Sequence, residues 1–472
     1  MDANELNDKG KKMIDFVSSY WQTIRSRRAL SVVEPGYLDT LLPNEAPLKA
    51  ELWEDVLRDV EQLIMPGITH WHSPHFHAYF PTGNSYPAIC ADILSDAIGC
   101  IGFSWISSPA CTELEMKMMK WLGKLINLPS QFYTPTNAGG VIQGTASEAT
   151  LVSLLAARSK VIKDKNLSFQ DINSTKMVVY CSDQAHSSVE RAVMLLLMQC
   201  RKILSDSEHR MNVKALSEAI KKDLEEGLTP TMCVATLGTT STCSFDDLTE
   251  IGKICNEQNV WMHVDAAYAG ASFICPEYQY LMEGVQYADT FNFNPHKWML
   301  INFDCSALWF KDSSFMVEAF NVDPVYLQHV NQKVVLDYRH WQVPLGRRFR
   351  SLKLWFTMRL LGVEQLQNHI RKSIKLAKDF EKLVCQNPDF EVVNNVILGL
   401  VCFRMKGDNS RSKKLLEKIT ADGKIYLVPS EINGVYFIRF AICSWFTNEG
   451  DVNEAWSTIE SLSKDISMQE TF

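Results

Sequence analysis

From about residue 86 to 375 the sequence alternates two hydrophobic periods, and this alternation restricts the possible folds more than any single motif does. Apolar runs of strand length begin near Lys176, Met232, Trp261, Thr290 and Ser306, with helical patterns between them. Strands joined through helices imply an α/β fold with a mostly parallel sheet covered on both faces. Such sheets bind ligands beyond the carboxyl ends of their strands. The residues that follow each apolar run are therefore the ones to read for chemistry.

Four such places carry suitable groups. Gly139 to Ala149 places small residues at the opening of a long helical run through Ala157, whose free N–H groups could hold a phosphate. The run Lys176 to Cys181 leads into Ser182-Asp183-Gln184-Ala185-His186. Trp261 to Val264 ends in the carboxylate Asp265, followed by Ala266 and Ala267. Phe291 to Asn294 is interrupted by Pro295, which puts Lys297 on a constrained turn, between His296 and Trp298. Desolvation there would free the lone pair an amine needs to condense with an aldehyde. Singly, each has a plain alternative, since most lysines are solvated and a strand-end aspartate is often half of an ion pair. Together, an anion cradle, a ring partner, a carboxylate and a lysine are the parts of a pyridoxal phosphate site.

These residues resemble the group II pyridoxal-phosphate decarboxylases, and among them the animal aromatic L-amino acid decarboxylases. The resemblance extends to Val33-Glu34-Pro35-Gly36-Tyr37-Leu38, to Pro109-Ala110-Cys111-Thr112-Glu113-Leu114-Glu115 and to Leu345-Gly346-Arg347-Arg348-Phe349-Arg350. It implies a fold type I, aspartate aminotransferase-like chain: an N-terminal helical dimerisation segment (1–85), a large cofactor domain (86–375) and a C-terminal α+β domain (376–472). It also implies that Lys297 carries the cofactor, that Asp265 faces the pyridine nitrogen and that His186 stacks on the ring. Ala146, Ser147 and Asn294 would hold the phosphate side, Thr240 and Ala267 would pack around the ring, and His296 precedes the lysine. Trp71, Tyr79, Phe80, Pro81 and Thr82 would line the substrate pocket, with Ile101 and Phe103 reaching it from the other subunit of a homodimer. Gly346 leaves room for a bulky aromatic ring, whereas related histidine decarboxylases carry serine there.

The fate of the carbon left after carbon dioxide departs decides the product. In the family a tyrosine on a mobile loop supplies the proton that completes the amine, and Tyr326 matches it. If oxygen arrives first, the product is an aldehyde with ammonia and hydrogen peroxide. Insect aldehyde synthases of this group carry asparagine at the position of His186, and plant ones carry phenylalanine at that of Tyr326. Both residues stand here, which favours amine formation from an L-Dopa, tyrosine or 5-hydroxytryptophan type of substrate. Against this, the segment Leu327 to Leu336 is about two residues shorter than in the family, Ala138 replaces a glycine and Leu196-Leu197 replace a glycine pair. The stretches Phe320 to Asp323 and Gly407 to Asn409 resemble the aldehyde synthases more closely.

The run His70 to His77 invites a metal reading, because His70 and His72, like His75 and His77, would share one face of a strand. Pro74 changes the path between the pairs, and no adjacent carboxylate or cysteine completes the coordination. An aromatic wall for a planar substrate is the better reading, and no metal is expected. A net charge of -8 disfavours nucleic-acid and anionic-membrane partners. The thirteen cysteines are scattered, with no CxxC pair, which suits reduced thiols in the cytoplasm. Met13, Val17, Tyr20, Trp21 and Ile24 are spaced as one face of a helix over Lys9 to Arg28. By resemblance that face meets a partner subunit.

Overall fold

The structure is a computed structural model that describes residues 2–168, 172–322, 324–331 and 334–469. It divides into two compact units: one comprises Met1–Pro81, Asp379–Val393 and Cys402–Phe472, the other Thr82–Lys378 and Asn394–Val401.

The larger unit is built on a seven-stranded sheet. Its strands are β1 (Gly139–Gln143), β2 (Met177–Ser182), β3 (Gln199–Ile203), β4 (Thr229–Thr236), β5 (Trp261–Asp265), β6 (Thr290–Phe293) and β7 (Ser306–Phe310), in the spatial order β1-β7-β6-β5-β4-β2-β3. Pairings β2 with β3, β2 with β4, β4 with β5 and β5 with β6 are parallel. β7 lies antiparallel to both β6 and β1. β1 therefore runs the same way as β2 to β6, and these six strands deliver their carboxyl ends to one edge of the sheet. β2 and β5 to β7 are buried along their whole length, as a sheet covered on both faces requires.

The small-residue stretch that reads as the opening of a helix begins as strand β1; the helix follows over Ala146–Asp164. Close packing explains the glycines. A Cβ on Gly140 would stand 2.5 Å from Cε of Met119 and 2.9 Å from the Trp309 ring, so only glycine lets β1 lie against β7 and the Pro109–Leu125 helix.

The smaller unit carries a four-stranded sheet of β8 (Phe390–Val392), β9 (Leu400–Met405), β10 (Val428–Ile432) and β11 (Val435–Ala441), in the order β10-β11-β9-β8. The β10–β11 and β8–β9 pairs are antiparallel. Phe380 stacks on Phe440, centroids 3.8 Å apart, and meets Phe403 and Trp456 edge-on to fill the core beneath the sheet. The N-terminal helix spans Ala3–Thr23, not Lys9 to Arg28, because the Asp2 carboxylate accepts the N–H groups of Asn4 and Glu5 and starts it early. None of its residues is buried. Among the described residues no helix is long and apolar enough to cross a membrane.

Candidate active site

The shared edge of the large sheet gathers the chemistry-bearing groups. Thr236 of β4 is in register with Asp265 of β5, and Asp265 with Asn292 of β6. The ends of the neighbouring strands thus form one row, and the segments that leave this edge carry Ala146 and Ser147 after β1, His186 after β2, Thr240 after β4, Ala267 after β5 and Asn294 to Lys297 after β6. Backbone hydrogen bonds join these loops: Leu237 N–H donates to Asp265 O at 2.9 Å, Ala266 N–H to Asn292 O at 2.9 Å and Asn294 N–H to Ala267 O at 3.1 Å. Thr240 itself is exposed on its loop.

Asp265 is 4% exposed, and one of its oxygens accepts the Ala267 N–H at 2.9 Å, which fixes the plane of the carboxylate. His186 lies two residues before the Ser188–Leu195 helix. Its Nδ1 accepts the backbone N–H of Ser188 at 3.2 Å and lies 2.8 Å from Ser188 Oγ. An obligate donor on Nδ1 leaves the ring proton on Nε2. Burial holds this imidazole below the usual histidine range, with Lys297 and Arg191 pushing the same way and Asp265 opposing them. His186 is thus a neutral Nε2–H imidazole within electrostatic reach of both the aspartate and the lysine.

Lys297 sits in the single helical turn Pro295–Trp298 between β6 and β7. The turn is braced on several sides. Cys305 N–H donates to His296 Nδ1 at 2.9 Å, Gly83 N–H to His296 O at 2.7 Å and Trp298 Nε1–H to Tyr268 O at 2.7 Å. Burial lowers the His296 pKa to about 3, and Lys297 adds to the effect, so this histidine is a neutral scaffold group.

The residues fit pyridoxal phosphate. At the start of the Ala146–Asp164 helix, Thr145 Oγ1 satisfies the Glu148 N–H at 3.2 Å, while the N–H groups of Ala146 and Ser147 have no acceptor within the helix. A phosphate at this terminus would take them. Asn294 Oδ1 is buried without a hydrogen-bond partner, an orphan polar atom of the kind a bound group or water satisfies.

The remaining expected residues form separate groups. Within the larger unit, Ile101 (55% exposed), Phe103 and the exposed Gly346 lie together: a Cβ on Gly346 would come within 3.5 Å of Ile101 Cγ2. Thr82 is half-buried in the same unit. In the smaller unit, Trp71 stacks on Tyr79 at 5.4 Å and on Phe76 at 4.8 Å, the Arg439 guanidinium lies over the Phe80 ring at 5.0 Å, and Pro81 is buried. Of the four histidines, His70 pairs with Tyr20 Oη at 3.0 Å, His77 with Ala441 O at 3.2 Å, and His72 lies against the Trp21 ring at 5.5 Å. Tyr326 stands 79% exposed on the turn Val325–Leu327; its neighbour Asp323, with Gln332 and Lys333 further on, lies outside the described residues.

Residue reading overlooked three contributors. Ser188 fixes the His186 tautomer, and its signal was its place two residues after the histidine at a helix start. Arg347 forms a buried ion pair with Glu115, accepts the company of the Tyr338 ring at 4.6 Å and donates to Ile142 O at 3.2 Å. Asp337 binds the Trp105 N–H at 2.8 Å. The last two join segments more than two hundred residues apart, and no local pattern announces them.

Residues 35–406 match the pyridoxal-dependent decarboxylase conserved domain. The aromatic-L-amino-acid decarboxylase of Drosophila simulans is 56% identical over 476 residues, covering 100% of this chain and 93% of that protein. Among solved structures, Oryza sativa TDC with PLP and tryptamine superposes with a TM-score of 0.96 at 34% identity, over 99% of each chain. The 4-hydroxyphenylacetaldehyde synthase of Rhodiola rosea superposes with a TM-score of 0.93 at 37% identity, again over 99% of each chain.

Proposed function

The chain belongs to the pyridoxal-dependent decarboxylase family, and we propose how its strand-end residues divide the reaction among them. The reaction itself is the pyridoxal-phosphate-dependent decarboxylation of an aromatic L-amino acid, yielding the arylalkylamine and carbon dioxide. Bound pyridoxal phosphate supplies a conjugated ring that accepts the electron pair left on Cα when carbon dioxide departs. The observation that carries the assignment is the convergence of His186, Asp265 and Lys297 at one edge of the sheet.

In this reading Lys297 would hold the cofactor covalently and yield to the substrate amine. The Asp265 carboxylate would pair with the ring nitrogen and keep it protonated. His186 would support the ring face and fix its plane, which orients the bond to be broken. The N–H groups of Ala146 and Ser147, with Asn294, hold the phosphate, while Thr240, Ala267 and His296 shape the cradle. Trp71, Tyr79, Phe80, Pro81 and Thr82 receive the aromatic ring of the substrate, and Tyr326 hands a proton to Cα.

The protein acts as a homodimer in this proposal, with Ile101, Phe103 and Gly346 serving the partner's site. Support comes from apolar surface that a single chain leaves open. Leu6, Met13 and Ile14 of the N-terminal helix are 37 to 56% exposed, and Ile93, Leu94, Ile98, Ile101 and Ile106 are 43 to 56% exposed. Light scattering that gives one chain mass at micromolar concentration would refute the dimer. The scattered thiols suit a reducing compartment, and we assign the protein to the cytoplasm.

The shared fold does not choose between amine and aldehyde, since a decarboxylase and an aldehyde synthase both superpose on it. The intact pair His186 and Tyr326 favours the amine. Incubation with L-Dopa, tyrosine and 5-hydroxytryptophan in air, with amine, aldehyde and peroxide measured from the same samples, tests this. Amine equal to the carbon dioxide released is the expected result. Aldehyde and peroxide in step with carbon dioxide would overturn it.

A further inference from the structure

The segment that carries Tyr326 is apolar and open to solvent, with Val325, Val330 and Val334 at 84, 96 and 87% exposed. His329 is the exception: its side chain is 5% exposed. Its Nε2 lies 2.9 Å from Oδ2 and 3.2 Å from Oδ1 of Asp337, whose own side chain is 3% exposed. Nε2 bears the proton and donates to both carboxylate oxygens, and Nδ1 is buried without a partner. The Arg339 guanidinium lies 3.6 Å from Oδ2 of the same carboxylate.

Asp337 is at the same time bonded to the pocket-wall segment. Its Oδ1 accepts the Trp105 N–H at 2.8 Å, and two residues on, Arg339 N–H donates to Phe103 O at 2.7 Å. One carboxylate thus ties the chain three residues beyond Tyr326 to the stretch that presents Ile101 and Phe103. A buried charge-assisted bond between two segments with no regular secondary structure is a fixed point, and the exposed residues on either side of it can pivot around it.

We propose that His329 and Asp337 are positioning residues that set the reach of Tyr326, and so decide whether a proton or oxygen arrives first at Cα. The proposal rests on the reading of Tyr326 as the proton donor. When the donor is in place, the Tyr326 O–H bond breaks, a C–H bond forms at Cα and the amine leaves. When it is not, one O2 and one water are consumed per turnover, and aldehyde, ammonia and hydrogen peroxide leave with the carbon dioxide.

The test uses the holoenzyme with L-Dopa in air and reads hydrogen peroxide per carbon dioxide, alongside kcat and KM. Tyr326→Phe establishes that loss of the donor raises the ratio. His329→Leu should then raise it roughly tenfold over the parent, through kcat with KM little changed, as expected for a lost charge-assisted bond. His329→Gln, which keeps a donor, should restore most of the difference and guards against a folding defect in the leucine variant. His329→Leu added to Tyr326→Phe should change nothing further. A parental ratio in both His329→Leu and Asp337→Asn, with a raised ratio in Tyr326→Phe, would overturn the proposal and leave the role of Tyr326 standing. An unchanged ratio in Tyr326→Phe itself would overturn that role and the proposal with it.

Discussion

Ser188 contacts the Nδ1 atom of His186 twice, through its backbone N–H at 3.2 Å and through its hydroxyl at 2.8 Å. The first contact survives any substitution except proline. The second is a side-chain contribution of about 1 kcal/mol, the usual net value of one hydrogen bond. Ser188→Ala should therefore lower kcat by a few-fold and leave the Nε2–H tautomer in place. Nitrogen-15 spectra of the labelled imidazole, identified by their loss in His186→Asn, would check the tautomer directly.

Leu197 occupies the left-handed position that ends the Ser188–Leu195 helix, with φ of 54°. Met198 N–H bonds to Val193 O and Leu197 N–H to Met194 O, the paired bonds of a Schellman terminus, where glycine is the usual residue. A leucine stands there instead. It tolerates the strained backbone, and its side chain is 71% exposed. Leu197→Gly should accordingly stabilise the protein by about 1 kcal/mol, read as a higher midpoint in urea.

Glu115 and Arg347 have side chains 4 and 2% exposed, and Glu115 Oε1 also accepts the Ile142 N–H at 2.8 Å. Glu115→Ala would leave a guanidinium buried without its counter-charge, at a cost of about 3 to 5 kcal/mol. Denaturant unfolding of the variant should show this loss, and Glu115→Gln, which keeps the acceptor, should show less.

Acid should destabilise the fold well before its surface carboxylates titrate. Burial lowers the pKa of His77 and His296 to about 3 and of His263 to about 4. Below about pH 6.5 the unfolded chain takes up protons at these positions that the folded chain refuses, so stability falls with pH until the folded values are reached. Asp246 and Asp289 act in the opposite sense: burial raises both to about 6, so the folded chain binds their protons first between about pH 6 and 3.8. Three sites outweigh two. Net proton uptake on unfolding between pH 6 and 4 is expected, and would be measured as a midpoint that falls with pH across that interval.

The groups that carry chemistry were legible because they follow buried strands whose apolar runs stand out, as Trp261 to Asp265 and Phe291 to Lys297 do. The long helix Gly362–Gln386 is legible too, since its apolar residues recur at helical spacing. β1 was not legible: Gly139 and Gly140 carry no strand signal, and the strand exists because β7 and Trp309 lie against it. The reversed direction of β7 was hidden for a similar reason, as a short apolar strand reads the same in either sense. His329 carries no signal of its own in the sequence, because the carboxylate that buries it is reached only through tertiary packing.

The braced turn between β6 and β7 has a consequence for the return half of the catalytic cycle. If Lys297 carries the cofactor as proposed, an amine that took its place would leave the lysine amino group on a support fixed at His296, Trp298 and Cys305. Its return to the cofactor would then be a first-order event at high effective concentration, independent of how dilute the enzyme is. Such a fixed address would limit loss of the cofactor with the departing product.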